Sequence, residues 1–327
     1  MTQPLLTVDN LKLHFPVKSG LLRRTALYNR AVDGVTLHVK RGETLGLVGE
    51  SGCGKTSLGR CIARLYKPTS GQIHFDGQDI SHLTNKAMLP IRQDIQMIFQ
   101  DPMESLNARH TIGDILEEPL IIHKAGQYAV RQQRVRALLD IVGLPKRSIS
   151  RYPFEFSGGQ RQRIGIARAI ALNPRLIICD EPVSALDVSI QSQILNLLIE
   201  LQKEYGLSYL FIAHDLAVVK HVSDRIAIMY LGKIIEEGPS QLIYSQARHP
   251  YTQSLINAIP VPDPHRKRQR EIIVGDVPSP IHPPGGCSFH PRCPRQFTPC
   301  LAKQPAQVTL SEQHKVSCHL SESHDAS

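Results

Sequence analysis

Residues 49–56 read Gly-Glu-Ser-Gly-Cys-Gly-Lys-Thr, a complete Gly-x-x-x-x-Gly-Lys-Thr phosphate loop. An apolar run at 44–48 precedes the loop and a helical pattern at 57–65 follows it. Glycines let backbone N–H groups turn towards a phosphate, and a helix N-terminus adds a positive dipole. This context predicts a nucleoside triphosphate site rather than a Gly-rich turn that happens to precede a lysine. The predicted nucleotide-binding residues are Gly49, Glu50, Ser51, Gly52, Cys53, Gly54, Lys55 and Thr56.

The composition limits the class of protein. The chain has 327 residues, enough for two domains, and no stretch approaches the roughly 18 consecutive apolar residues of a membrane-spanning helix. The opening Met1-Thr2-Gln3-Pro4 lacks signal-peptide features, so we expect a cytoplasmic location and cysteines that are thiols or metal ligands. The formal charge of +9 fits a nucleic-acid partner, an anionic membrane surface or a solvated basic face.

The order of elements predicts an α/β fold. Short apolar runs bounded by turn residues predict strands at 35–39, 44–48, 73–75, 95–99, 176–179 and 209–213. Helical periodicity covers 112–170 and 188–204. After about residue 245 the chain becomes rich in proline and carries a basic run and four of the seven cysteines. We therefore expect a domain boundary near residue 245.

Two acidic residues follow the predicted buried strand at 176–179. Asp180 and Glu181 would lie at the end of the sheet where open parallel sheets bind ligands. An aspartate there can hold Mg²⁺ through a water, and an adjacent glutamate can act as general base towards an attacking water. The structural alternative is a helix N-cap with first-turn charge.

The sequence Ser157-Gly158-Gly159-Gln160 begins another predicted helix. Its exposed backbone N–H groups predict a second anion site. One γ-phosphate should not need two such sites from one chain, so this loop is expected to serve the nucleotide of a partner subunit. The alternative is a flexible Gly-Gly turn capped by Ser157.

Together these motifs resemble the ATP-binding subunits of ABC transporters. In chain order they match the Walker A loop at 49–56, the Q-loop residue Gln100, the signature motif Ser157-Gly158-Gly159-Gln160, the Walker B strand 176–180 with the catalytic Glu181, the D-loop 184–187 ending in Asp187, and the switch residue His214. The resemblance implies a nucleotide-binding domain over residues 1–245. Such a domain has a RecA-like core, an antiparallel β subdomain and a helical subdomain at about 101–165.

The resemblance also implies the ligands and the roles of the site residues. ATP and Mg²⁺ would bind, with Thr56, Gln100 and Asp180 near the metal. Glu181 would activate water, His214 would position that water at the γ-phosphate, and Gln100 would sense the phosphate. Without Asp180 and Glu181, a satisfied core histidine at a strand end would be the safer interpretation of His214. Asp187 is expected at the nucleotide. Phe15 is expected to stack on adenine, with Tyr28, beyond a basic insertion, as the alternative.

The C-terminal part resembles the extension of dipeptide and oligopeptide importer ATPases. His249-Pro250-Tyr251-Thr252, a proline-rich stretch and spaced cysteines carry this match over residues 246–327, and it is closest to the F-type ATPases of dipeptide permeases. The resemblance implies uptake of short peptides, with nickel or haem as alternative solutes. The implied partners are a D-type sister ATPase, two permease subunits and an extracytoplasmic peptide-binding protein, with no nucleic acid. The chain would lie peripherally on the cytoplasmic face of the bacterial inner membrane.

The C-terminal cysteines predict a metal centre. Cys287, Cys293, Cys300 and Cys318 are spaced C-x5-C-x6-C-x17-C, which lacks the paired C-x2-C of common zinc sites and does not fit ferredoxin spacing. The resemblance implies a [4Fe–4S] cluster, while Zn²⁺ and free thiols remain open. His290 and His319 are rival ligands. Cys53, Cys61 and Cys179 are expected to be small buried apolar residues.

Two other functions compete. A soluble ABC ATPase acting on nucleic acid or the ribosome would suit the positive charge, but such proteins generally carry two nucleotide domains or a long coiled coil. A regulatory subunit with an inactive ATP site would not be expected to retain Lys55, Asp180, Glu181 and His214.

Overall fold

The computed structural model describes residues 3–19, 24–259, 273, 275–311 and 313–322. Its contacts divide the chain into two compact units. The phosphate-loop unit comprises Thr7–His38, Leu45–His74 and Ala213–Ser327. The signature-loop unit comprises Met1–Leu6, Val39–Thr44 and Phe75–Ile212.

Strands and helices alternate through most of the chain. The strands are β1 Leu6–Ser19, β2 Arg24–Val39, β3 Thr44–Val48, β4 Ser70–Phe75, β5 Gln78–Asp79, β6 Ile95–Ile98, β7 Leu176–Asp180, β8 Ser208–Ala213, β9 Arg225–Tyr230, β10 Lys233–Pro239, β11 Val308–Ser311 and β12 His314–Val316. The α-helices are α1 Lys55–Ile62, α2 Asn85–Asp94, α3 Ile112–Ile122, α4 Tyr128–Ile141, α5 Gly158–Ala169, α6 Val188–Tyr205, α7 Leu216–Val222, α8 Ser240–Gln246, α9 Pro250–Asn257, α10 Thr298–Ala302 and α11 His319–Glu322.

In the phosphate-loop unit, β3 runs parallel to β9 and leads directly to the loop. Both strands are buried along their whole length, which explains their nearly continuous apolar sequences. From β9 the sheet continues through antiparallel neighbours in the order β9, β10, β12, β11. A second sheet of this unit places β1 between β2 and β4.

In the signature-loop unit, β6, β7 and β8 form a parallel set with β7 in the middle. The helices α3, α4 and α5 contact one another. Their buried apolar side chains include Leu116, Leu120, Val135, Leu138, Leu139 and Ile164. This arrangement fixes the end of β7, where the two predicted acids lie, and the start of α5, where the signature loop lies.

The predicted α/β class is confirmed, and each strand predicted from the sequence overlaps an observed one. The predicted helix at 188–204 corresponds to α6, and the predicted helical stretch at 112–170 contains α3, α4 and α5. The domain boundary near residue 245 stays a prediction. Within the described ranges, no helix combines the length and the apolar character needed to cross a bilayer.

Candidate functional site

The phosphate loop curls around its own lysine. β3 ends at Val48 and α1 begins at Lys55, so the loop joins a buried strand to a helix N-terminus. The Lys55 side chain is buried, and its ammonium group donates to the carbonyl oxygens of Gly49 at 2.6 Å and Glu50 at 3.0 Å. The positive charge is therefore held inside the loop, where an oxyanion would be attracted.

Two positions in this loop require glycine, because of the backbone conformation at one of them and close packing against neighbouring backbone at both. Gly54 has φ +107°, and a Cβ there would lie 1.9 Å from the Ala31 carbonyl oxygen. A Cβ on Gly49 would lie 2.1 Å from the Met229 carbonyl oxygen. Because both neighbouring atoms belong to the backbone, side chains at these two positions would force the loop out of shape.

Two predicted catalytic residues meet in the signature-loop unit. Gln100 Nε2 donates to Glu181 Oε2 at 3.3 Å. Glu181 has φ +46°, an uncommon conformation for a residue with a side chain, and its N–H donates to the Ile212 carbonyl at 3.0 Å. Asp180, the last residue of β7, is fully buried. The end of this strand thus presents a strained glutamate in contact with the Q-loop residue.

The signature loop is an exposed helix start. Ser157 caps α5, its side chain accepting from the Gln160 N–H at 3.4 Å while the Gln160 side chain accepts from the Ser157 N–H at 3.0 Å. A Cβ on Gly159 would lie 2.5 Å from Ile190 Cγ2, so α5 packs closely against α6. Asp187 immediately precedes α6 and is exposed. The structure therefore brings the signature loop and the D-loop together on one surface.

Three further predicted site residues lie in the phosphate-loop unit, and their roles stay predictions. Thr56 is half-buried on the first turn of α1, and His214 is exposed just after β8. Phe15 is half-buried, with its ring 5.5 Å from that of Tyr66 in an edge-on contact, whereas Tyr28 is 51% exposed. Stacking of Phe15 on adenine stays a prediction, as does the alternative at Tyr28.

The sequence analysis missed two contacts to the phosphate loop. The Glu50 N–H donates to the Tyr251 hydroxyl oxygen at 2.9 Å, and the Arg292 guanidinium group binds both Glu50 carboxylate oxygens at 2.6 and 3.1 Å. These partners are 201 and 242 residues away along the chain. Tyr251 belongs to the His-Pro-Tyr motif noted above, but nothing in the sequence pairs either residue with Glu50.

The four C-terminal cysteines lie in one region of the phosphate-loop unit. The Cys287 N–H donates to the Cys300 carbonyl at 2.9 Å. Burial, and after it the charges of the other three cysteines, raise the pKa of the Cys318 thiol to about 11. Among the residues that the structure describes, however, no group of three or more His, Cys, Asp or Glu side chains is arranged to hold a metal ion. The donor chemistry suits a metal, but the side chains do not form a ligand set.

The other three cysteines are buried, as expected. Burial raises the pKa of the Cys53 and Cys61 thiols, that of Cys61 to about 12, and it raises the pKa of Cys179 strongly. These groups stay protonated at neutral pH and act as small apolar residues.

Known proteins resemble the chain along almost its whole length. The profile of the ABC transporter family matches residues 32–184, and that of the oligopeptide/dipeptide transporter C-terminal region matches residues 235–300. The oligopeptide transport ATP-binding protein AppF of Bacillus subtilis is 51% identical over 97% of this chain and 98% of its own length. The dipeptide transport ATP-binding protein DppF of Escherichia coli is 48% identical over 93% of this chain and 91% of its own length.

A solved structure supports the fold independently. The dimeric post-hydrolysis state of the ATP-binding cassette MJ0796, bound to ADP and Pi, is 31% identical, with a TM-score of 0.64, and covers 72% of this chain and 98% of its own. The predicted ABC-type P-loop fold is therefore confirmed. This chain belongs to the ATP-binding proteins of ABC transporters, within the oligopeptide/dipeptide transporter family.

Proposed function

We propose that this chain is the ATP-hydrolysing subunit of an ABC importer that takes up dipeptides and other short peptides. The observation that carries the proposal is the near full-length identity of 48–51% to ATP-binding proteins of dipeptide and oligopeptide transport. The phosphate loop around Lys55 and the contact between Gln100 and Glu181 supply the chemistry that such a subunit needs.

The predicted site residues have distinct roles in the proposed reaction. Lys55 and the loop N–H groups bind the β- and γ-phosphates. The family resemblance assigns Thr56, Asp180 and Gln100 to Mg²⁺, which would neutralise charge on the phosphates. Glu181 accepts a proton from the attacking water, and the Gln100 amide fixes the orientation of that carboxylate. His214 positions the water at the γ-phosphate.

The exposed signature loop is proposed to act on a partner's nucleotide. Ser157, Gly158 and Gln160 face solvent at the N-terminus of the 12-residue helix α5, which favours an anion presented from outside. The similar MJ0796 cassette is dimeric. We propose a D-type sister ATPase as the partner, together with two permease subunits and an extracytoplasmic peptide-binding protein. The assembly would place this chain on the cytoplasmic face of the inner membrane.

Uptake by a reconstituted importer tests this function. Vesicles holding the permeases, both ATPases and the binding protein should accumulate a labelled dipeptide with ATP inside and not with ADP inside. Uptake of nickel or haem without peptide uptake would contradict the proposed solute. It would still be consistent with the proposed role as the ATPase of an importer. ATP hydrolysis stimulated by RNA or ribosomes, but not by the permeases, would contradict the importer proposal itself.

We also propose a [4Fe–4S] cluster at Cys287, Cys293, Cys300 and Cys318, with Zn²⁺ as the alternative. The four free thiols match the number of ligands that such a cluster needs, although the described side chains are not arranged as a ligand set. No step of ATP hydrolysis is assigned to the cluster. Protein purified without oxygen should be brown, with absorbance near ~400 nm that disappears in the Cys300→Ser variant. The Cys61→Ser variant is the matched control and should keep the colour. Colourless protein with stoichiometric zinc would contradict the cluster.

A further inference from the structure

The C-terminal extension contacts the phosphate loop at one residue, Glu50, by two separate routes. Tyr251 lies on α9 and accepts from the Glu50 backbone N–H. Arg292 lies in the cysteine-containing segment and binds the Glu50 carboxylate through two nitrogens. All three residues belong to the phosphate-loop unit. One route therefore fixes the backbone of Glu50 and the other fixes its side chain.

The ion pair between Arg292 and Glu50 restrains the relative orientation of the two side chains. The Arg292 side chain is only 7% exposed, and that of Glu50 is 28% exposed. Besides its two bonds to Glu50, the guanidinium group donates to the Gly275 carbonyl at 3.1 Å and lies 3.5 Å from the Tyr230 hydroxyl. A two-pronged arginine–carboxylate pair restrains orientation as well as distance. A solvent-exposed ion pair would not do this.

The Tyr251 hydroxyl is fixed by the packing of its ring. The ring is fully buried and lies edge-on to Tyr230 at 4.8 Å and to Phe289 at 5.3 Å. The Tyr251 N–H donates to His249 Nδ1 at 3.1 Å, and Glu236 accepts from the His249 N–H at 3.0 Å. Burial lowers the pKa of His249 to about 4, so its ring is neutral at neutral pH and can accept this bond. The hydroxyl therefore has a defined position next to the loop.

Glu50 in turn sets the shape of the loop. Its carbonyl oxygen accepts from Lys55 Nζ at 3.0 Å and from the Cys53 N–H at 3.3 Å. Restraining Glu50 thus restrains both the carbonyl that holds the lysine and the turn that Cys53 closes. A loop that is already shaped loses less conformational entropy when a triphosphate binds.

We propose that Tyr251 and Arg292 are positioning residues for ATP, so that the C-terminal extension is a working part of the nucleotide site. The inference rests on the proposed function, because it concerns the ATP that the phosphate loop binds. Neither residue touches the reacting atoms. Their effect is on the affinity for ATP and not on the chemical step.

Substitutions at the two positions test the proposal on the full chain. Tyr251→Phe removes only the hydroxyl, and Arg292→Gln removes the two-pronged pair. Each should raise the Kd for MgATP, and the KM for ATP, by roughly three- to tenfold, as expected for the loss of one well-placed hydrogen-bonding group. The kcat should change by less than about twofold, because Glu181 and Gln100 are unaltered.

Tyr209→Phe is the matched control. Tyr209 is also buried, and its hydroxyl donates to the Leu198 carbonyl at 3.0 Å on the signature-loop unit. This variant should keep the wild-type Kd even if its melting temperature falls.

An equal rise of Kd in Tyr209→Phe, or an unchanged Kd in Tyr251→Phe, would overturn the proposal. If Arg292→Gln does not fold, the Kd of the Tyr251→Phe variant for MgATP alone tests the proposal. Failure of the wild-type chain to bind MgATP would instead refute the proposed function.

Discussion

Replacing Glu181 with glutamine is expected to lower ATP turnover by roughly 10²- to 10⁴-fold, the usual contribution of a general base. Glutamine has the shape of glutamate but cannot accept the proton of the attacking water. Its carbonyl oxygen can still accept from Gln100 Nε2, which lies 3.3 Å from the carboxylate in the native chain, so the local structure should persist. ATP affinity should therefore stay near the wild-type value.

Steady-state phosphate release and equilibrium ATP binding, measured on the same preparation, check this expectation. The exposed Glu200 on α6 offers a matched control, and Glu200→Gln should hydrolyse ATP at the wild-type rate. Full turnover in Glu181→Gln would show that another group removes the proton. Loss of both binding and turnover would show instead that Glu181 supports the structure of the site.

Replacing Lys55 with alanine is expected to weaken ATP binding by roughly 10- to 100-fold, because charge-assisted hydrogen bonds to phosphate are lost. The ammonium group is held inside the loop by the carbonyls of Gly49 and Glu50, and it can exchange these partners for phosphate oxygens when ATP binds. Charge-assisted hydrogen bonds of this kind are each worth about 1.5–3 kcal/mol. Alanine cannot make them, and it leaves the two carbonyls without their donor.

Titration with a fluorescent ATP analogue, together with thermal unfolding without nucleotide, separates lost affinity from lost folding. The exposed Lys67 lies in the same unit, and Lys67→Ala should bind ATP as the wild type does. A wild-type dissociation constant in a folded Lys55→Ala protein would rule out a phosphate contact for this lysine.

The local parts of the fold could be predicted from the sequence. The Gly-x-x-x-x-Gly-Lys-Thr spacing places a loop between a strand and a helix because each step depends only on neighbouring residues. The buried strands β7 and β8 were predicted because short, wholly apolar runs suit burial on both faces. Gln100 and Glu181, which the family resemblance assigns to one site, are in contact, and their roles stay predictions.

The long-range parts could not be predicted in this way. The strand β9 is a short apolar run whose parallel pairing with β3 depends on a partner far away along the chain. The strands β11 and β12 span only four and three residues, which is too short for a clear strand signal in the sequence. The ion pair between Glu50 and Arg292 joins residues 242 positions apart, and their sequence neighbourhoods share no pattern. Such contacts are set by the completed packing rather than by local preference.

The hairpin of β11 and β12 determines whether truncation of the chain would expose an edge of the sheet. β12 pairs with β10 through Glu236 and Glu237, and the short β11 then forms the outer border of this part of the sheet. Three of the four β11 residues are exposed, and the strand spans only four residues, which makes it a poor template for another chain. Cutting the protein after the cassette would leave the backbone groups of β10 open to pairing between molecules. Residues 308–316 therefore cover an edge of the sheet that would otherwise be open.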